Sequence, residues 1–277
     1  MLLHICYDNV MEIVYFAGGL MRMKEKIGIV DILIKLSYYC FLIVLFPILF
    51  FNQQDYKANI KSNLLYKSFI VKILEKHPLL YEVSIFVWNF PMFNKIYSIL
   101  PKLSGKVLQV GCGTGLLNTY YKNKNDIDFV NLDINMAYIK YGYRKSRFKS
   151  YLCASIYSVP LEDKSFDVII FARCFHHIRK HKSALSECLR LLKDNGKIII
   201  IDPVSLSEQS NQSYLTNTPL DGVVWRFSKS TLEKYIRKIA PSQLSVKSLE
   251  YFRQKHITNY NSQYPHADAV IVLEKEI

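Results

Sequence analysis

The sequence predicts an α/β fold whose doubly wound, mostly parallel sheet follows a helical, apolar N-terminal extension. Two observations indicate this class: short β-branched runs alternate with helical patterns after about residue 106, and a long apolar run lies within the first 51 residues. Strands separated by helices imply βαβ units and a parallel sheet. Because 50% of the 277 residues are apolar, the chain can fill a core, which excludes general disorder.

Residues 1–51 are predicted to form a segment similar to a membrane anchor. Leu36 to Phe51 is a run of 16 residues without a charged side chain. A transmembrane helix needs about 20 apolar residues, and Pro47 breaks or kinks a helix near the end of this run. We therefore expect residues 27–51 to lie in or dip into one leaflet. A helix that caps the main domain is the alternative.

Residues 52–105 are predicted to form a helical cap or linker. Leu79 to Leu100 is apolar and rich in rings but carries Glu82 and Lys95, so it suits a membrane interface better than a bilayer centre. The formal charge of +13 lies outside residues 1–51, which hold four basic and four acidic side chains. A basic soluble surface explains this excess, and so does attraction to anionic lipid or to nucleic acid.

Residues 106–277 are predicted to form the main α/β domain. Lys182 to Leu192 has apolar residues at helical spacing. A second helix is predicted from Ser230, with Glu233 completing a capping box, after an irregular polar stretch between Pro203 and Gly222. The predicted strands are Lys106–Val110, Asp128–Leu132, Asp167–Phe171, Lys197–Ile201, Ser245–Phe252 and Ala267–Glu274.

The most informative stretch is KVLQVGCGTGLL, residues 106–117, in which a strand runs straight into Gly111, Gly113 and Gly115 and a helix follows. Glycine permits a tight turn and a close approach of the backbone to a ligand, while the helix presents its N-terminal N–H groups. The dinucleotide-binding fingerprint requires G-x-G-x-x-G, whereas these glycines fall at i, i+2 and i+4. The spacing therefore disfavours a nicotinamide or flavin site.

Asp133 ends the strand Phe129-Val130-Asn131-Leu132, 22 positions after Gly111. In a doubly wound sheet this position lies beside the glycine loop, where a carboxylate can accept hydrogen bonds from both ribose hydroxyls. An ordinary turn aspartate is the alternative. The loop and the acid together indicate a ribose-containing ligand more strongly than either does alone.

With these residues the chain resembles the class I S-adenosylmethionine-dependent methyltransferases, in particular the small-molecule group related to ubiquinone and menaquinone methyltransferases. VLQVGCGTG is similar to their first motif, and Asp133 to their ribose-binding acid. Residues 155–167 (SIYSVPLEDKSFD) resemble the segment before their fourth strand. Residues 167–178 (DVIIFARCFHHI) resemble that strand and the loop after it, and residues 182–202 resemble the next helix and strand. The resemblance implies a Rossmann-like, seven-stranded sheet and S-adenosyl-L-methionine as the cofactor.

The resemblance also implies which residues contact the cofactor. The glycines would lie under its methionine part, Asp133 would bind the ribose, Ile134 would pack on the adenine, and Ser155 with Ile156 would meet the adenine edge. Phe171 to Arg173 would line the site beyond the fourth strand. The complete implied set is Gln109, Gly111, Gly113, Gly115, Asp133, Ile134, Ser155, Ile156, Phe171 and Arg173.

Two positions depart from the family pattern. The family usually has Asp or Glu where this chain has Gln109, and usually Asp where it has Ser155. Gln109 lacks the charge that helps to hold the cofactor's ammonium but keeps an acceptor, and Ser155 can still hydrogen-bond an amino group. Losing a charge-assisted bond costs on the order of 1 kcal/mol, about fivefold in affinity, so we expect weaker cofactor binding rather than none.

His176 and His177 are the candidate catalytic residues, because they follow the fourth strand of the pattern, near where an acceptor would lie. Methyl transfer requires an in-line approach within about 3–3.5 Å and, for a hydroxyl acceptor, a base. A packing or capping role for one histidine is the alternative. The six cysteines lack the C-x-x-C spacing of zinc and redox sites, so no metal is expected.

A nucleic-acid substrate is a less favoured alternative. Ala172-Arg173-Cys174-Phe175 stands where amino-group DNA methyltransferases carry Asn- or Asp-Pro-Pro-Tyr/Phe, and where cytosine C5 enzymes carry Pro-Cys. Lys140 to Lys149 (KYGYRKSRFK) interleaves rings with cations, a pattern compatible with RNA or anionic lipid and more often found on a solvated helix face.

The sequence therefore predicts an enzyme that transfers a methyl group from S-adenosyl-L-methionine to a hydrophobic small molecule or lipid. The transfer would be an O- or C-methylation at the cytoplasmic face of a membrane. A non-catalytic, membrane-associated binding module is the alternative in which Gln109 and Ser155 mark a lost site. An RNA methyltransferase is the third hypothesis.

Overall fold

The computed structural model describes residues 69–89, 97–121, 126–206, 214–218, 222–252 and 266–276. All of them belong to one compact unit, Gln54–Ile277. The anchor predicted at residues 1–51 lies outside the described ranges, as do residues 90–96 of the second apolar stretch. Among the described residues, no helix combines the length and the apolar character needed to cross a bilayer.

Helices and strands alternate through the described chain, as the sequence pattern predicts. The helices are α1 (Phe69–Lys76), α2 (Pro78–Asn89), α3 (Leu116–Tyr120), α4 (Met136–Arg144), α5 (His181–Leu191) and α6 (Lys229–Ile239), with one 3₁₀ turn at Phe175–His177. The strands are β1 (Gly105–Val110), β2 (Ile127–Asp133), β3 (Ser150–Cys153), β4 (Phe166–Ala172), β5 (Leu192–Ser205), β6 (Tyr214–Thr218), β7 (Gly222–Ser228), β8 (Leu244–Phe252) and β9 (His266–Lys275).

The predicted seven-stranded, mostly parallel sheet is confirmed, and two further strands extend it. Five parallel strands follow the order β3-β2-β1-β4-β5, β9 pairs antiparallel with β5, and β8 pairs antiparallel with β9. A hairpin of β6 and β7 extends the described sheet to nine strands, because Val204 and Ser205 of β5 pair in parallel with Phe227 and Ser228 of β7.

Two local predictions are wrong. The stretch between Pro203 and Gly222, predicted to be irregular, contains β6, which is stabilised by antiparallel pairing with β7. The capping box predicted at Ser230 and Glu233 does not form, because β7 runs through Ser228 and makes that residue the N-cap of α6. The Glu233 carboxylate instead accepts hydrogen bonds from Arg237 one turn later, at 3.0 and 2.8 Å.

The middle of the sheet is buried on both faces, which explains why part of strand β5 has no polar alternation. Ile198–Ile201 of β5 have no exposed surface. Ile198 and Ile200 pack in the apolar layer that contains Leu185 of α5, whereas Ile199 packs on the opposite layer with Leu117 of α3. Each fully buried aliphatic side chain contributes about 1.5–3 kcal/mol relative to exposure, so burial of this strand stabilises the sheet.

Helix α4 approaches the segment after β1 most closely at Gly142. A Cβ atom at this position would lie 2.6 Å from the Phe148 ring and 2.6 Å from the carbonyl oxygen of Thr114. The same ring would lie 2.7 Å from a Cβ atom placed on Gly115. Glycine is therefore required at Gly142 by space, since its neighbours include a backbone atom.

Gly142→Ala is expected to lower the free energy of unfolding by about 1–3 kcal/mol, because the added methyl group overpacks this contact. Urea unfolding followed by circular dichroism measures the change. Lys140→Ala, on the exposed side of the same helix, is the matched control and is expected to stay within about 0.5 kcal/mol of the wild type. Equal stabilities for the two variants would contradict the close contact.

Candidate functional site

The carboxyl ends of β1, β2 and β4 meet at one edge of the sheet. In the register of the parallel strands, Val110 lies beside Leu132 of β2 and Phe171 of β4. The residues that follow these strands therefore come together, and a doubly wound sheet binds its ligands in the crevice formed there.

The glycine loop turns sharply as it leaves β1. Gly111 has φ +62° and Gly113 has φ +54°, values in the left-handed region that L-residues rarely adopt. A side chain at Gly111 would also lie 2.7 Å from Cβ of Cys174, whose thiol donates a hydrogen bond to the Val110 carbonyl at 3.0 Å. The loop after β4 thus packs directly on the glycine loop, and glycine is needed at Gly111.

Asp133 joins the ends of β1 and β2. Its Oδ2 accepts a hydrogen bond from the Gly113 N–H at 2.7 Å, and its Oδ1 accepts one from the Asn135 N–H at 2.7 Å. Burial raises the pKa of Asp133, and these backbone donors together with His177 oppose the rise only in part. Each carboxylate oxygen has a further lone pair, so Asp133 can still accept hydrogen bonds from a ligand.

Asn135 connects this acid to the helices that precede β1. Its Oδ1 caps α4 by accepting from the Ala137 N–H at 2.9 Å, and its Nδ2 donates to the Glu75 carbonyl at 3.0 Å. Tyr138 of α4 stacks on Tyr81 of α2, with ring centroids 4.5 Å apart. Helices α1 and α2 therefore pack next to the glycine loop.

Arg147 makes a contact that the sequence analysis missed. Its side chain is only 8% exposed and is paired with Glu82 of α2, which is 5% exposed. The same guanidinium donates to the Thr114 carbonyl of the glycine loop at 3.0 Å. The sequence pattern assigns Arg147 to the basic cluster of residues 140–149. Its partner Glu82 lies 65 positions away along the chain, so no local signal indicates the pair.

Several polar atoms near the loop are buried without a hydrogen-bond partner. Gln109 is 2% exposed and its Oε1 has no partner, and the same holds for Oδ1 of Asn131, which is the register neighbour of Gln109 on β2. Oγ1 of Thr114 and Oδ1 of Asn118 are also unsatisfied. Buried polar atoms of this kind cost about 1–3 kcal/mol each, so a cluster of them next to a glycine loop is typical of a binding site.

The three residues predicted to contact the adenine, Ile134, Ser155 and Ile156, differ in exposure. Ile134 is 77% exposed next to Asp133, whereas Ile156 is 6% exposed. Ser155 is half-buried, and its Oγ accepts a hydrogen bond from the Tyr157 N–H at 3.3 Å. The Ser155 hydroxyl keeps its proton available as a donor in this arrangement.

The side chains of the two residues predicted beyond β4 make contacts within the protein. Phe171 has no exposed surface and packs edge-on against Phe175 in the core, with centroids 5.4 Å apart. Arg173 forms an ion pair with Asp268 of β9, and its N–H donates to the Ile201 carbonyl at 2.8 Å. At Phe171 only the backbone can border a ligand, because the side chain belongs to the apolar layer under the crevice.

The histidines that follow β4 lie in different environments. Nδ1 of His176 lies 2.7 Å from Oδ1 of Asp202 at the carboxyl end of β5, and both side chains are buried. Oδ2 of Asp202 has no hydrogen-bond partner. His177 is exposed, and its ring centroid lies 4.2 Å from that of His176. Asp202 was not predicted as a site residue, although an acid directly after a buried strand was a usable signal.

One open depression of about 730 Å³ lies elsewhere, by the amino ends of β1 and β4. Arg190 in its wall pairs with Glu187 and Asp163 and donates to the Val159 and Leu161 carbonyls. These contacts hold the segment before β4 on α5, so this depression is distinct from the site at the carboxyl edge.

The strand order and the loop at the carboxyl edge define a class I methyltransferase-like fold, and comparisons with known proteins agree. A family described as "Methyltransferase domain" matches residues 108–200. The chain is similar in structure to 1,6-didemethyltoxoflavin-N1-methyltransferase of Burkholderia thailandensis, with a TM-score of 0.53 and 14% identity over 74% of this chain and 86% of that one. It is also similar to the [4+2]-cyclase SpnF, with a TM-score of 0.58 and 13% identity over 74% and 94% of the two chains.

Relatives among curated proteins give the family. An uncharacterised protein of Methanocaldococcus jannaschii is 30% identical over 178 residues, which cover 58% of this chain and 76% of that protein. Demethylmenaquinone methyltransferase of Renibacterium salmoninarum is 29% identical, but the match covers only 35% of this chain and 40% of that enzyme. The chain belongs to the class I S-adenosylmethionine-dependent methyltransferases, whose cofactor is S-adenosyl-L-methionine.

Asp133→Asn is expected to weaken binding of S-adenosylmethionine about tenfold or more, because hydrogen bonds to a charged acceptor contribute about 1.5–3 kcal/mol. Isothermal titration measures the change. Asp128→Asn, at an exposed position on the same strand, is the matched control and should bind like the wild type. Equal affinities for the two variants would show that Asp133 does not hold the cofactor.

Proposed function

We propose that this chain transfers a methyl group from S-adenosylmethionine to a hydrophobic small molecule or lipid, by O- or C-methylation, at the cytoplasmic face of a membrane. The observation that carries the proposal is the meeting of two features at one sheet edge. These features are the glycine loop closed by Asp133 and the His176–Asp202 pair, which lie at the carboxyl ends of β1, β2, β4 and β5.

The residues around the glycine loop fit this cofactor. The unsatisfied Oε1 of Gln109 can accept a hydrogen bond from the ammonium group, and Asp133 can accept from the ribose hydroxyls. The exposed side chain of Ile134 offers an apolar surface for the adenine. Gln109 supplies an acceptor without a charge, so the ammonium is held by a weaker bond than a carboxylate would make.

The bound cofactor supplies an electrophilic methyl group, and the protein has to orient the acceptor and remove its proton. Asp202 holds the Nδ1–H tautomer of His176, which leaves Nε2 as the basic nitrogen. A base of this kind can deprotonate an acceptor hydroxyl, which makes the oxygen a nucleophile or, in a phenol, activates a ring carbon. The buried thiol of Cys174 is not suited to this role, since burial raises its pKa well above the usual value.

The hydrophobic acceptor is supported by the names of relatives and by the sequence. One further relative, the ubiquinone/menaquinone biosynthesis C-methyltransferase UbiE of Rickettsia typhi, is 24% identical over 70% of this chain and 84% of that protein. The charge-free run from Leu36 to Phe51 favours a location at a membrane surface. A membrane-dissolved acceptor agrees with both observations.

Methyl transfer from labelled S-adenosylmethionine into a lipid extract tests the proposed function. The full-length chain is expected to produce label that partitions into organic solvent, whereas an Asp133→Ala variant should produce little. Mass spectrometry of the labelled product then distinguishes O-methylation from C-methylation. Label that enters only the aqueous or RNA fraction would contradict a hydrophobic acceptor.

His176→Asn is expected to lower kcat by about 100-fold or more with little change in cofactor affinity, because it removes a base while keeping a donor towards Asp202. His177→Ala is the control and should retain kcat. The reverse result, in which only the His177 variant is slow, would assign the base to the exposed histidine.

A further inference from the structure

Helix α4 presents an exposed stripe that mixes apolar and basic side chains. Met136, Lys140, Tyr143 and Arg144 are all exposed, and their spacing of i, i+4, i+7 and i+8 places them on one face of the helix. Met136 is 42% exposed and Tyr143 is 54% exposed. The opposite face carries the buried residues Tyr138, Ile139 and Gly142.

The edge strand β3 continues this stripe. Tyr151 is 44% exposed, and its ring centroid lies 5.2 Å from that of Tyr143. Lys149, directly before β3, is exposed as well. We call the surface formed by Met136, Lys140, Tyr143, Arg144, Lys149 and Tyr151 the α4–β3 surface.

The basic cluster between Lys140 and Lys149 is divided by the fold into two groups. Arg147 points inward to Glu82 and stabilises the glycine loop. Lys140, Arg144 and Lys149 are exposed and form no ion pair with any carboxylate in the described part of the chain. Their charges therefore add up on one side of the domain instead of being neutralised.

The α4–β3 surface adjoins the cofactor site. Met136 follows Asp133 by three positions. Ile134 lies between them and is 77% exposed. A partner that covers this surface would lie next to Asp133 and the proposed cofactor site.

We propose that the α4–β3 surface docks on an anionic lipid bilayer, with Lys140, Arg144 and Lys149 at the phosphates and Tyr143, Tyr151 and Met136 in the interface. Long cationic side chains reach lipid phosphates while aromatic and thioether groups enter the region below them. This inference rests on the proposed function, since it gives that function the side of the domain that faces the membrane.

A bilayer fits this surface better than RNA does. Met136 is 42% exposed and has no hydrogen-bond donor with which to bind phosphates or bases. The rings of Tyr143 and Tyr151 are tilted by 59° against each other, whereas an RNA platform offers open ring faces for base stacking. Apolar groups of this kind are stabilised when they leave water for a lipid interface.

The test is sedimentation of the full-length chain with vesicles of phosphatidylcholine, with or without phosphatidylglycerol. The variant K140E/R144E/K149E is expected to partition about 100-fold more weakly into anionic vesicles, because each basic residue near such a surface contributes about 1 kcal/mol. The matched control K182E/K234E/K238E makes the same change in net charge on α5 and α6 and should partition like the wild type. Y143A/Y151A should weaken partitioning as well, with unchanged cofactor affinity.

The possible outcomes separate this inference from the proposed function. Unchanged partitioning of K140E/R144E/K149E overturns the inference, and so does an equal loss in the control, because bulk charge would then explain binding. The inference is also overturned if the wild type does not bind vesicles but binds single-stranded RNA in a salt-sensitive way, and K140E/R144E/K149E alone loses that RNA binding. Absence of methyl transfer by a chain that still binds vesicles through this surface contradicts the proposed function only.

Discussion

The site depends on the carboxylate of Asp133. It accepts hydrogen bonds from Gly113 on one side and from Asn135 on the other, both at 2.7 Å. Asn135 in turn caps α4 and binds the Glu75 carbonyl of α1. One acid at the end of β2 therefore helps to position the glycine loop, helix α4 and, through Asn135, helix α1, so its identity is constrained by the structure itself.

Polar groups around this acid lower the stability that the fold could otherwise have. Burial raises the pKa of Asp133, which means that holding its charge at neutral pH opposes folding. Gln109 and Asp202 each keep a buried oxygen without a partner. A core made for stability alone would carry apolar side chains at such positions. Their concentration at one edge, above an apolar sheet, agrees with a surface organised for a ligand.

Much of the fold could be predicted from the sequence because burial determines it locally. The β-branched run Ile198–Ile201 favours a strand covered on both faces, and the glycine spacing indicates a tight turn before a helix. The β6–β7 hairpin, the inward turn of Arg147 and the pairing of His176 with Asp202 were not predictable in the same way. Arg147 and His176 have partners 65 and 26 positions away that only the finished fold brings close, whereas β6 is a short strand with polar residues at three of its five positions.

The ring of Phe148 also limits how this sequence can vary. It fills the space beside two glycines, Gly115 after the loop and Gly142 in α4, where any Cβ atom would come within 2.7 Å of it. A larger residue at Gly142 would need both a smaller residue at Phe148 and a displacement of the Thr114 carbonyl, and shrinking the ring opens a void beside both glycines at once. Change at these three positions has to be concerted, so relatives that differ here are expected to differ in correlated sets of residues.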